Sequence, residues 1–90
     1  MNSLLIENAK KGDLNEIKNL VEKGADIHTW NEDALRWSAE HGHLDVVKFL
    51  VEKGADIHAN SETALHSSSG YGNFDVVKYL VEKGLIFILI

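Results

Sequence analysis

The chain has no cysteine and no proline among its 90 residues. Without cysteine, disulfide staples and Cys-rich zinc sites are excluded. There is no Pro-rich or Ser-rich linker and no dense Lys/Arg cluster. No apolar run approaches the ~20 residues that a membrane-spanning helix needs. The formal net charge of −5 weighs against DNA or RNA, whose binding rests on neutralising phosphates, and against anionic membrane surfaces. No Asn-x-Ser/Thr sequon occurs, and the opening MNSLLIENAKKGD lacks the long apolar core of a secretory signal. The expectation is an intracellular, cytoplasmic protein with neither nucleic acid nor membrane as partner. What is present, 44% hydrophobic and 26% charged residues, suits one small globular domain near the size where a single core is only marginally adequate.

Glycine supplies the organisation. Gly12, Gly42 and Gly72 are spaced by thirty, as are Gly24, Gly54 and Gly84, and between them stand GDLNEIKNLVEKG, GHLDVVKFLVEKG and GNFDVVKYLVEKG. Self-similarity at such a period marks a solenoid of stacked units. Apolar residues at Leu44, Val47, Leu50 and Val51 have the spacing of one helix face. Asp13 and Asn73 suit the N-cap position, and His43 suits it less well. The glycine after each Glu-Lys can adopt the left-handed conformation that closes a helix. A shorter helix is expected before each of these, over Ser3 to Lys11, Asp33 to His41 and Thr63 to Tyr71. The last is the weakest helix former, because Ser67, Ser68, Ser69 and Gly70 favour turns. The pattern predicts an array over residues 1–84, with repeats 1–28, 29–58 and 59–84, followed by an apolar tail over 85–90.

At these residues the sequence resembles the ankyrin repeat. The family's TPLH appears as Thr63-Ala64-Leu65-His66 and more loosely as Asp33-Ala34-Leu35-Arg36. Its GH-x-x-VV-x-x-L is matched by Gly42-His43 with Val46, Val47 and Leu50, and its GADVN by GADIH at Gly24 to His28 and Gly54 to His58. The resemblance implies an all-α fold: an ankyrin-like α-solenoid of three helix-turn-helix pairs joined by short hairpin fingers. The fingers are expected to be short because the usual period is roughly 33 residues. The thirty-residue unit with ALRW and EKGADIH is similar to the ankyrin arrays that giant DNA viruses encode in large numbers, for which the site of action would be the host cytoplasm.

Repeats bury their apolar faces only on neighbours, so terminal units need a polar outer face. Glu7, Glu16 and Asn19 stand where the second repeat has Trp37, Val46 and Phe49, which makes the first repeat a cap. The third keeps Val76 and Tyr79 and then runs into Leu85-Ile86-Phe87-Ile88-Leu89-Ile90, an uncharged segment of high β propensity. Val76, Tyr79, Leu85, Ile86, Phe87 and Ile88 are therefore the candidates for an uncapped, self-associating end of an array cut short. The alternative for the tail is that it folds back over the last repeat.

Chemistry has little footing. Zinc needs ligands converging at about 2 Å, and the five histidines are better explained as positions recurring with the repeat. Gly70-Tyr71-Gly72 has no strand before it and repeats a structural glycine, so it is no phosphate loop. Ser67 to Ser69 have only His66 beside them, which is no triad. No catalytic residue, metal or cofactor is expected. A protein partner of unknown identity is. The resemblance implies contact through finger tips and first helices, carried over by position to Trp30, Asn31, Glu32, Glu40, His41, Asn60, Ser61, Glu62 and Tyr71. Trp30 either anchors a partner, as interface tryptophans often do, or folds over the next repeat. Trp37, beside Leu35 on its helix, is expected between helix layers. Three short repeats offer little area, so modest affinity follows.

Overall fold

A computed structural model describes the backbone of residues 1–89 and the side chains of residues 1–59 and 62–84. Among the described residues six helices follow in pairs: α1 (Asn2–Lys11) with α2 (Leu14–Glu22), α3 (Thr29–Glu40) with α4 (Leu44–Glu52), and α5 (Ala59–Gly70) with α6 (Phe74–Leu89). No strand occurs among the described residues. Each pair is a helix-turn-helix unit, and the units stack in chain order, first helix on first helix and second on second.

Local chemistry sets the helix ends. The Asp13 side chain accepts from the Glu16 amide at 3.1 Å, capping α2 as its residue type suggests. At the other end of α4, Gly54 takes a φ of 102°, and the Ala55 amide bonds the Leu50 carbonyl. That is the reversal by which a left-handed residue closes a helix. The first helices sit closer together than the second helices do. Small buried residues on the first layer, Ala34, Ser38, Ala39, Ala64 and Ser68, permit that approach, whereas Phe49 and Tyr79 occupy the second layer. The buried hydroxyls of Ser38 and Ser68 donate to the carbonyls three residues back, Leu35 and Leu65. These serines therefore bury no unsatisfied polar group, and α5 runs through the serine cluster to Gly70.

The fingers are short connections between Glu22 and Thr29 and between Glu52 and Ala59. Asp26 and Asp56 each accept from the backbone N–H two residues on, and the chain then enters the next helix through left-handed residues. Trp30, Asn31 and Glu32 have φ of 54°, 55° and 66°, and Glu62 has a φ of 68°. One feature differs from expectation: α6 does not stop at Gly84 but runs on to Leu89. The side chains of Leu85, Ile86, Phe87 and Ile88 lie outside the described residues, so their proposed role in self-association is untouched by the structure.

The expectation for Val76 and Tyr79 is corrected. Val76 is 0% exposed, and Tyr79 packs partly buried against the core. Lys48 of α4 reaches to 5.8 Å from the Tyr79 ring centre, as Lys18 of α2 reaches to 5.8 Å from that of Phe49. Both aromatics therefore look toward the preceding repeat. This is the face on which the first repeat carries Glu7, Glu16 and Asn19. Val76 and Tyr79 belong to the interface between the second and third repeats, not to the open end.

Candidate interaction surface

Side chains singled out for partner contact occupy the two ends of the first helices. At the finger end, Trp30 stands 65% exposed and does not fold over the next repeat. The left-handed run that carries it is strained for non-glycine residues, at roughly 1–2 kcal/mol each. It is spanned by a bond between His28 Nδ1 and Glu32 Oε1, and Asp26 Oδ1 accepts from the His28 amide at 2.9 Å. The next finger repeats the device with His58 and Glu62. Asn31 is exposed beside Trp30. Glu32 is not: it is 7% exposed, so it holds the finger rather than presenting a surface. The side chains of Asn60 and Ser61 lie outside the described residues.

The His28–Glu32 bond makes a pH prediction. Hydrogen bonding to Glu32 raises the His28 pKa, against the opposing effect of burial, and the charges of Glu32, Asp26 and Asp56 add to the rise. Because the folded value lies above the ordinary 6.5, the stabilisation is fully present below that pH and is lost as pH rises through the higher folded value. The imidazole is 54% exposed, so solvent screening leaves about a few tenths of a kcal/mol. Thermal melts of the wild type and His28→Gln are expected to show a wild-type advantage below the ordinary value of 6.5 that shrinks as pH rises through the higher folded value. An advantage that grows with pH would contradict the assignment.

At the turn end, Glu40, His41 and Tyr71 do come together, with Trp37, around an open depression of about 350 Å³. Tyr71 is 69% exposed. Trp37 is half-buried and packs against the core. Its Nε1 donates to Asp33 at 3.0 Å, Lys10 and Arg36 approach its ring centre to 4.3 and 4.4 Å, and His41 meets it edge-on. His43 bonds the Lys10 carbonyl through Nε2 at 2.9 Å. Among the described residues no three or more His, Cys, Asp or Glu side chains gather as they would for a metal ion, and no helix is long and apolar enough to cross a membrane.

One feature escaped the sequence reading. Ile57, Leu65, Leu80 and Val81 line an apolar groove of about 210 Å³ on the far side of the third repeat. Leu35, the counterpart of Leu65 one repeat earlier, is 1% exposed, whereas Leu65 is only half-buried and Val81 is 39% exposed. The period contained the signal, since a position covered by the following repeat in the second unit stands open in the third.

A stack of helix-turn-helix pairs with short turns at a thirty-residue period defines an α-solenoid repeat protein. The family model described as Ankyrin repeats (3 copies) matches residues 5–88, and the chain belongs to the ankyrin repeat family. Ankyrin repeats are in general protein–protein interaction modules and typically non-catalytic scaffolds. No curated protein matches the chain.

Proposed function

We propose that this chain is a non-catalytic interaction module that holds a protein partner against the ends of its first helices. The observation that carries this reading is the presentation of Trp30 and Tyr71, two large aromatic side chains left 65% and 69% exposed on a stacked helical frame. Exposed aromatics on a preformed surface supply contact area at low entropic cost, which is how a small interface gains affinity. The test compares proteins captured by the immobilised wild type, Trp30→Ala, Tyr71→Ala and, as a control on α6, Lys78→Ala. A partner lost with both aromatic variants and kept by the control supports the reading. Identical sets for all four chains would end it.

A second reading, self-association, is favoured by the apolar groove at Leu65, Leu80 and Val81 rather than by Val76. Sedimentation of the wild type beside Val81→Lys checks it. A concentration-dependent increase in mass that the substitution removes supports self-association, and a monomer at every concentration removes it.

A further inference from the structure

The depression at the turn end has a lining that the fold does not require. The Glu40 side chain is 17% exposed, and its carboxylate lies 4.0 Å from His41 Nδ1, too long for a hydrogen bond. Beside it the Tyr71 ring stands largely in solvent. The third wall, Trp37, already draws two cations of the chain itself to within 4.4 Å of its ring centre. One of these, Arg36, also lies 3.7 Å from Asp33, whereas Lys10 comes from the preceding repeat and is exposed. A carboxylate lining one depression with an indole and a phenol ring has the chemistry of a cation receptor. The planar guanidinium suits it better than an ammonium, because one group can stack on an aromatic face and bond both carboxylate oxygens.

The geometry points to a binding site for an arginine side chain of the protein partner, between Trp37, Glu40, His41 and Tyr71. It rests on the reading of the chain as a protein-binding module and names what that module recognises. The guanidinium pairs with the Glu40 carboxylate and stacks on Tyr71, and Lys10 competes with it for the Trp37 ring. The chain's net charge of −5 favours approach of a basic segment over an acidic one.

The probe is the blocked tripeptide acetyl-Gly-Arg-Gly amide, with its lysine and norleucine counterparts, titrated against Trp37 emission in a Trp30→Phe background. The arginine peptide is expected to give a saturable change, the lysine peptide a weaker one and the norleucine peptide none. Glu40→Gln is expected to weaken binding about tenfold, the loss of one charge-assisted hydrogen bond, with helicity unchanged because the substitution keeps the size and shape of the side chain. Lys10→Gln is expected to tighten it, an effect that a merely structural role for these residues would not produce. Equal responses to arginine and norleucine, or an unchanged affinity in Glu40→Gln, would overturn the site. If capture of a partner depends on Trp30 while the tripeptide fails to bind, the module reading stands and the arginine site falls.

Discussion

Val76→Asp is expected to unfold the chain, not to keep it monomeric. Val76 is 0% exposed within the one hydrophobic cluster that runs through all three repeats. A carboxylate placed there has no cation within the core to pair with it, and burying an unpaired charge costs several kcal/mol. A domain of this size has about 5–15 kcal/mol in total, and a repeat array distributes that over its neighbour interfaces. The loss falls on the interface between the second and third repeats, where α5 and α6 pack against α3 and α4. Far-UV circular dichroism should show most of the helical signal gone or a broad melt without a cooperative step. Native helicity together with a reduced tendency to self-associate would return Val76 to the surface and refute the packing described here.

The placement of Val76 and Tyr79 is encoded in the thirty-residue period itself. Glu7, Glu16 and Asn19 identify three positions that look toward the preceding repeat, and Val76 and Tyr79 occupy two of those positions thirty residues on twice over. Applied in one direction along the whole stack, that comparison places them inside. The period, the helix pairs and the cap at Asp13 were legible because each depends on local residue type: glycine for positive φ, a short oxygen-bearing side chain for a cap. Glu32 was not legible. Nothing in the stretch NED marks one acid as buried, since its burial follows from a left-handed turn and a bond to His28 four residues earlier. Gly84 was misjudged by analogy. After Gly54 the reversal is held by Ala55 bonding Leu50 and by Asp56 bonding the His58 amide. After Gly84 the sequence has no Ala-Asp-Ile-His to make those bonds, and the helix continues. Of the candidate surface, the cluster of Glu40, His41 and Tyr71 emerged from family position, but its joining to Trp37 required the rotation of α3, which the motif alone does not set.

The glycines at the turn between paired helices predict a second large effect. Gly42 and Gly72 have nearly the same φ, 74° and 75°, so alanine at either position meets the same left-handed penalty of roughly 1–2 kcal/mol. Their surroundings differ. A Cβ on Gly42 would lie 2.7 Å from Asn73 Oδ1, whereas one on Gly72 meets nothing within 4 Å. Asn73 reaches back from the third repeat, where its Nδ2 donates to the Ala39 and Glu40 carbonyls at 3.0 and 2.8 Å and so closes the end of α3. His43 does the same for α1 through the Lys10 carbonyl, over Gly12. Glycine at this position thus serves two ends, a positive φ and room for the side chain of the following repeat. Displacing Asn73 forfeits about another 1–3 kcal/mol by leaving those carbonyls unpaired. Gly72→Ala is therefore expected to lower the melting temperature by about 4–8 °C per kcal/mol of strain, and Gly42→Ala by about twice as much or more. In an Asn73→Ala background the two substitutions should become equal, because the group that Gly42 accommodates is gone. Equal losses in the wild-type background would mean that backbone conformation alone accounts for the thirty-residue glycine period, and that the bond from Asn73 contributes nothing to the joint between repeats.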